Sequence, residues 1–312
     1  MSNRIRNCLL VLSFFLLFTS LSCSSPQTGE TTTLIEVTDQ LGRTVKLDNI
    51  PKTIVSLAPA NTEILFALGL DERIAGVTDY CNYPPKAKEK PSIGGFATPN
   101  IEKIVALSPD LILAAPIHEK QIIPQLEAKG MTVLTLAPKN LDDILEAITL
   151  VGKATSTEKA AAELVSQMRS KIKAITDKTG GLTEAQRPKV FYVIWHDPLT
   201  TVGSGTFHDE LIRMAGGTNI AGNLNGYPTI SLETIIEANP KVIIGGVGTG
   251  MSADAPLQFI KNESRLKDVD ARLNNRIYSV DGDIVGRAGP RITNALEQFA
   301  RFIHPELFKE SK

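Results

Sequence analysis

Short apolar runs rich in valine and isoleucine alternate with helical patterns through most of the chain. Between Ile35 and residue 139, strand-like runs such as TIVSLA, RIAGVT, DLILAA and TVLTL are separated by helical runs such as TEILFALG and IIPQLEAKG. After Pro188 the alternation resumes with KVFYVIW, FHDELIRMAGG, LETIIEA, KVIIGG and RIYSV, and a last helix is predicted from about Ile292 to Phe302. This pattern predicts an α/β fold with mainly parallel sheets and helices on their faces.

A helical segment of different character separates the two blocks. Its apolar positions form one stripe, Thr155 and Glu158 fit a capping box, and Gly180-Gly181 is a stop signal. At about 1.5 Å per residue, a helix of about 22 residues reaches roughly 33 Å. We therefore predict an N-terminal lobe over residues 34–139, a helical connection with one long rigid helix over 140–181, and a C-terminal lobe over 182–312.

One unit of sequence occurs twice, as NIEKIVALSPDLILAA at residues 100–115 and as SLETIIEANPKVIIGG at residues 231–246. Each copy is predicted to be a capped helix followed by a buried strand, with Ile101, Ile104 and Val105, or Leu232, Ile235 and Ile236, on the inner face. Glu102 and Glu233 fall one step beyond the leading apolar residue, toward water. Acids in a first helical turn complement the helix dipole by about 0.3–1 kcal/mol, which is a sufficient structural reason for both.

The N-terminus has the pattern of an export signal. Arg4 and Arg6 precede an apolar run from Cys8 to Leu21, which is short for a membrane span. The run ends at SLSC and resembles a bacterial lipoprotein signal, with a signal peptide over residues 1–22, Cys23 as the lipidated first residue and a flexible tether over 23–33. Ser20 departs from the leucine preferred there, and cleavage at small residues with an incidental Cys23 is the alternative. We predict an extracytoplasmic, lipid-anchored protein at the cell membrane, in a periplasm or at the cell surface.

Composition narrows the possible partners. The chain has 312 residues, of which 42% are hydrophobic and 21% charged, with a formal net charge of -1. This balance is typical of a globular protein, and the even charge predicts neither nucleic acid nor an anionic membrane surface as a partner. If Cys8 is removed and Cys23 acylated, Cys81 is left alone and no intrachain disulfide forms.

No catalytic or metal site emerges from the motifs. The four histidines, His118, His196, His208 and His304, show no helical pairing of the kind that metal sites use. VGSGTF places Ser204 outside a G-x-S-x-G elbow, so an exported hydrolase using Ser204 with His196 or His208 is the weaker alternative.

Other residues suit a binding cleft. Tyr80, Tyr83 and Trp195 lie where predicted strands end and could stack on a flat ligand, with buried packing as the alternative. The Gly-rich segment GDIVGRAGPR carries Asp283, Arg287 and Arg291. An arginine there can grip amide oxygens or anions, or can lie exposed without a partner. Glu63 is assigned to a first helical turn.

The segments VSLAPANTEILFALG, YCNYPP, NIEKIVALSPDLIL, TVGSGTFHDELIRMAGG, ISLETIIEANPKVII and GRAGPRI together resemble a known family. It comprises the substrate-binding proteins of ABC importers for cobalamin and iron-siderophores, which have two α/β lobes joined by a rigid helix. The likeness is nearest to the cobalamin-binding members. It implies ligand contacts by Ala60, Tyr80, Asp283 and Arg287, and Phe96 and Tyr227 stand where the best-known member of that group has stacking tryptophans.

The resemblance also implies a ligand and a partner protein. Ala115 and Thr200 stand where the best-known member of the group has further aromatics, which implies a less aromatic cleft. The implied ligand is cobalamin or a related corrinoid, with an iron-siderophore or haem as the alternative. Glu102 and Glu233 match the acids that dock on two permease subunits, whose cytoplasmic ATPases drive uptake. We expect a non-catalytic monomer without a cofactor, attached to the membrane by its lipid only, whose lobes move little on binding.

Overall fold

The computed structural model describes residues 34–248 and 254–308. The predicted signal peptide, the tether and Cys23 lie outside the described residues. Within the described part of the chain, no helix combines the length and the apolar character that crossing a bilayer requires.

The N-terminal lobe contains a four-stranded, fully parallel sheet in the order β4-β3-β5-β6, with helices between the strands and a separate antiparallel hairpin, β1-β2. Its strands are β1 (Ile35–Thr38), β2 (Thr44–Leu47), β3 (Ile54–Ser56), β4 (Ile74–Val77), β5 (Leu111–Ala114) and β6 (Val133–Thr135), and its helices are α1 (Pro59–Ala67), α2 (Ile101–Ala106) and α3 (Ile122–Glu127). Every residue of β3, β5 and β6 is buried, because helices and the hairpin cover both faces of the sheet.

Two helices connect the lobes. Helix α4 (Leu141–Thr155) packs against β1 and α1, and the 22-residue α5 (Glu158–Thr179) packs along α4. The predicted long helix is therefore confirmed, but its predicted capping box is wrong. Thr155 is the last residue of α4, where its hydroxyl donates to the carbonyl of Val151, and α5 begins without a side-chain cap.

The C-terminal lobe contains a sheet in the order β11-β10-β7-β8, with the short β9 beside the start of β7. All its pairings are parallel except β7 with β8. Its strands are β7 (Lys189–His196), β8 (Leu199–Thr201), β9 (Thr218–Asn219), β10 (Val242–Val247) and β11 (Ile277–Asp281), and its helices are α6 (Phe207–Met214), α7 (Leu232–Ala238), α8 (Ala255–Asn262), α9 (Asp270–Leu273), α10 (Gly282–Gly286) and α11 (Ile292–Ile303). The predicted class, two α/β lobes with mainly parallel sheets, is confirmed.

The repeated unit is α2 followed by β5 in one lobe and α7 followed by β10 in the other. The Asn100 side chain accepts a hydrogen bond from the backbone N–H of Lys103, and the Ser231 side chain accepts one from Thr234. Both predicted caps are confirmed. One predicted inner-face residue is wrong, because Ile236 lies exposed on α7.

The apolar core is continuous between the lobes. One cluster of buried side chains runs from Leu111 and Leu113 in β5, through α4 and α5, to Tyr192 in β7 and Phe299 in α11. Two smaller clusters fill the other face of each sheet. Because interiors pack as densely as organic crystals, a shared core of this kind resists large movement of one lobe against the other.

Candidate functional site: a cleft between the lobes

Loops after the carboxyl ends of parallel strands form a cleft between the lobes. A cavity of about 490 Å³, the N-lobe cavity, is lined by the segments that follow β3, β4, β5 and β6, and by residues 286–288 of the C-terminal lobe. A second cavity of about 290 Å³, the C-lobe cavity, is lined by residues of β7, α6, β10 and α10, and by Tyr227. Gly286 borders both cavities, so they adjoin. Larger hollows lie on α4 and α5 and beside α6, but neither is lined by both lobes.

All six residues that the resemblance assigns to the ligand line this cleft. Ala60, Tyr80, Phe96 and Arg287 border the N-lobe cavity. Tyr227 and Asp283 border the C-lobe cavity. The departure Ala115 also lines the N-lobe cavity, where its small side chain leaves room that an aromatic ring would fill.

Phe96 is held in place by a buried histidine. His118 is wholly buried, its ring packs edge-to-face on Phe96 at 5.5 Å between centroids, and its Nε2 lies 2.7 Å from the Phe96 carbonyl. Its Nδ1 accepts a hydrogen bond from the backbone N–H of Ala115. The Nε2–H must then donate to Phe96, and burial, which lowers the pKa of His118, favours this neutral form. No sequence pattern distinguished His118 from the other histidines.

A buried ion-pair contact between the lobes is centred on Glu63. Its carboxylate accepts hydrogen bonds from Nε (2.8 Å) and Nη2 (2.6 Å) of Arg291, and Nη1 of Arg287 lies 3.3 Å away. Glu63 is also only 3% exposed. Because helix α1 begins at Pro59, Glu63 lies beyond its first turn, and the first-turn assignment is wrong. Burial without these arginines would leave an uncompensated charge, which costs about 3–5 kcal/mol in proteins.

Arg291 is held on two sides, which excludes the alternative that it lies exposed without a partner. Its guanidinium lies 4.0 Å from the centre of the Tyr83 ring, in cation–π contact. Burial acts to lower the pKa of Arg291, but the hydrogen bond and charge of Glu63, together with the charge of Asp281, act against it, and the pKa is raised. The side chain is thus a permanent cation that joins the C-terminal lobe to two residues of the N-terminal lobe.

Asn82 extends this network to the wall between the two cavities. Its amide group donates to Asp283 (3.0 Å), and its oxygen accepts from Arg287 (2.7 Å). Arg287 also donates to the Tyr80 carbonyl (3.2 Å) and lies 2.8 Å from Asp283. The side chains of Asp283 and Arg287, which were expected to contact the ligand, are therefore fixed before a ligand binds. Arg287 borders the N-lobe cavity already paired with acids.

Two tyrosines and a histidine surround the C-lobe cavity. His208 lies 4.6 Å from Tyr192 and 6.3 Å from Tyr227 between ring centroids, edge-to-face in both cases. Burial raises the pKa of Tyr192 and of Tyr227, and it lowers the pKa of His208 to about 4. All three rings are therefore neutral at pH 7. Gly246 lines the same cavity, and a Cβ there would lie 3.0 Å from the Tyr192 hydroxyl.

Glu102 and Glu233 occupy matching positions on the two lobes. Both are exposed in the first turn of their helices, α2 and α7. A helix between parallel strands runs back against them, so its first turn lies at the edge of the sheet where the strands end. Glu102 follows the cleft residue Phe96 by six positions, and Glu233 follows Tyr227 by six. By this geometry we expect both carboxylates on the cleft side of their lobes.

The alternative hydrolase lacks its catalytic pairing. The Ser204 hydroxyl lies 2.8 Å from the Leu224 carbonyl and 2.8 Å from Oδ1 of Asn225, and no histidine of the described residues is among its hydrogen-bond partners. Nucleophilic serine requires an adjacent base. In the described parts of the chain, no three His, Cys, Asp or Glu side chains are grouped to hold a metal ion.

Comparisons with known proteins agree with this architecture. A family model described as periplasmic binding protein matches residues 54–284. The chain is 33% identical over 284 residues to the uncharacterized ABC transporter substrate-binding lipoprotein YvrC of Bacillus subtilis (strain 168), covering 88% of this chain and 87% of the relative. It is 28% identical over 272 residues to a cobalamin-binding protein of Halobacterium salinarum, covering 85% and 73%. Among solved structures, the apo periplasmic heme-binding protein RhuT from Roseiflexus sp. RS-1 superposes with a TM-score of 0.72 at 27% identity, covering 82% of this chain and 99% of that one.

Proposed function

This chain belongs to the periplasmic binding protein family, as the substrate-binding protein of an ABC transporter in the cobalamin, haem and siderophore group, and on that premise we propose that it captures cobalamin or a related corrinoid in its cleft. Members of the family are transport components and not enzymes. The protein releases its ligand to a membrane permease with cytoplasmic ATPases.

The observation that carries the proposal is a pair of exposed aromatic rings, one from each lobe. Tyr80 and Tyr227 each keep 59% of their surface exposed although both line the cleft. Apolar surface of this kind is typical of a binding site, and a flat macrocycle between the lobes would cover both rings. Phe96, held by His118, adds a third aromatic contact.

The polar groups of the cleft favour a corrinoid over haem. A corrin ring carries neutral amides, which both donate and accept hydrogen bonds, whereas haem carries two propionate anions. Asp283 is an acceptor, and Arg287 is already paired with Glu63 and Asp283. This mixed donor and acceptor set suits amides, while Arg287, whose charge two carboxylates already balance, offers little attraction to propionates. The Halobacterium relative is named for cobalamin, which supports the same ligand.

Titration calorimetry with cyanocobalamin tests the ligand. We expect one molecule bound per chain at micromolar affinity or tighter, and at least a tenfold loss in Tyr227→Ala, because its ring covers ligand surface. Ile236→Ala, an exposed apolar residue outside the cleft, is the matched control and should bind normally. Absence of heat with cyanocobalamin, together with binding of hemin, would replace the corrinoid by haem.

The permease contact is proposed at Glu102 and Glu233. Both carboxylates are exposed, one on each lobe in the first turn of its helix, so they can meet two subunits of a permease at once. Arg265 lies 3.8 Å from Glu233 across open solvent, a pairing too exposed to compete strongly with a partner. Complementary charge at such a surface sets orientation and association rate.

The double variant Glu102→Ala/Glu233→Ala should leave ligand affinity within twofold of the wild type, because neither residue lines the cleft. Stimulation of the reconstituted transporter's ATPase should be lost. The matched control is Glu146→Ala/Glu163→Ala, which removes two exposed acids from α4 and α5. If the double variant stimulates the transporter normally, the docking assignment is wrong.

A lipid anchor at Cys23 is proposed from the export pattern of the sequence and from the name lipoprotein carried by the Bacillus relative. The acylated protein should stay with the membrane fraction of the cells, and Cys23→Ser should appear in the soluble extracytoplasmic fraction. Equal distribution of the two proteins would exclude the anchor.

A further inference from the structure

One wall of the N-lobe cavity is a loop with little support from its own backbone. Phe96 and Ala97 line the cavity from residues 95–98. Among the described residues, no backbone–backbone hydrogen bond begins or ends within residues 95–98, and the neighbouring bonds end at Gly94 and Asn100. Backbone without such bonds belongs to the least stable part of a fold. The position of the Phe96 ring therefore depends on contacts from outside the loop.

Those contacts come from His118. Its Nε2–H donates to the Phe96 carbonyl, and this is the only hydrogen bond that residues 95–98 make within the described part of the chain. The His118 ring also meets the Phe96 ring edge-to-face. Because His118 is wholly buried, it gives a fixed point to a loop that is itself partly exposed.

The other side of the same imidazole supports a second wall of the cavity. Its Nδ1 accepts a hydrogen bond from the backbone N–H of Ala115 (3.0 Å), and Ala115 and Pro116 line the cavity after β5. Such complete pairing is not automatic for a buried histidine of this protein. His304 also uses both ring nitrogens, but the buried Nδ1 of His208 has no partner among the described residues. One imidazole thus fixes two cavity walls relative to each other.

Resting on the proposed function, we propose that His118 is a positioning residue for the ligand, which holds the Phe96 ring in place against a bound macrocycle and thereby sets the affinity. His118 is not among the described residues that line either cavity, so it acts through Phe96 and not by touching the ligand. A ring that is ordered beforehand loses less conformational entropy on binding than a ring on a loose loop, and this difference favours the bound state.

A double-mutant cycle on ligand binding tests this role. His118→Asn keeps an acceptor for the Ala115 N–H, but its shorter side chain cannot reach the Phe96 carbonyl. We expect it to weaken cyanocobalamin binding about fivefold in titration calorimetry, which is the scale of one hydrogen bond. In the Phe96→Ala background the same change should weaken binding less than about twofold, because the ring that His118 positions is gone. A histidine that only stabilised the fold would have the same effect in both backgrounds.

The length of the side chain gives a second readout. The amide of His118→Gln extends about as far as Nε2, so it can donate to Phe96 and should restore binding to within about twofold of the wild type. The matched control is His304→Asn, which changes another buried histidine with two hydrogen bonds, outside the lining of both cavities. It should bind cyanocobalamin normally. Circular dichroism establishes that each variant folds.

If His118→Asn does not fold, the pH dependence of binding decides. Burial lowers the pKa of His118, and the other causes of its shift are backbone contacts with Phe96 and Ala115, not charged side chains. Glu119 and Lys120, which follow it in the chain, are exposed. The neutral ring is the binding form, because a proton on Nδ1 would face the Ala115 N–H. Affinity is therefore full above the pKa of His118 and is lost as the pH falls through it.

The wild type should accordingly bind cyanocobalamin more weakly at pH 5 than at pH 7.5, and Phe96→Ala should lose less of its affinity over the same interval. Equal losses in the two proteins, or a wild-type affinity that does not change, would overturn the positioning role.

Equal effects of His118→Asn with and without the Phe96 ring would also overturn it and would leave the proposed function standing. If the wild type binds hemin and not cyanocobalamin, the proposed ligand is wrong, and the same cycle measured with hemin decides the role of His118. Binding of neither compound would remove both the proposed function and the inference that rests on it.

Discussion

The contact between Glu63 and two arginines of the other lobe is the interaction on which the cleft depends. A carboxylate this deeply buried is tolerated only with charged partners, and Arg291 meets it with two short hydrogen bonds. The same carboxylate reaches Arg287, which Asn82 and Asp283 also hold. One buried anion thereby joins the lobes and fixes the polar wall between the two cavities.

The apolar core also holds the two lobes together. It continues through α4 and α5 from one sheet to the other, so the lobes are packed together and not merely linked. A ligand then enters a site whose aromatic and polar groups are largely in place, which limits the ordering cost of binding. The same rigidity holds Glu102 and Glu233 at a fixed separation, as the proposed permease contact requires.

Sequence reasoning reached the parts that depend on local patterns. Apolar alternation predicted the two lobes, and the Asn100 and Ser231 caps follow from residue type and position. It failed where the structure depends on contacts between residues that are far apart in the sequence. Glu63 was assigned to a first turn because the helical pattern starts at Thr62, whereas α1 starts at Pro59. Its ion pair was missed because nothing nearby indicates the partner Arg291, which lies 228 positions away. Thr155 was assigned to the start of α5 because a threonine can cap a helix, but its hydroxyl bonds within α4 instead. The unpaired nitrogen of His208 is visible only once its surroundings are known.

The most direct test of this account is a double-mutant cycle on the free energy of unfolding, measured in urea with Glu63→Gln, Arg291→Met and the combined variant. Glutamine keeps the shape of Glu63, and methionine keeps an apolar stem over Tyr83. A buried pair across the lobes predicts a coupling energy of about 2–3 kcal/mol between the two sites. Additive effects, with coupling below about 0.5 kcal/mol, would contradict it.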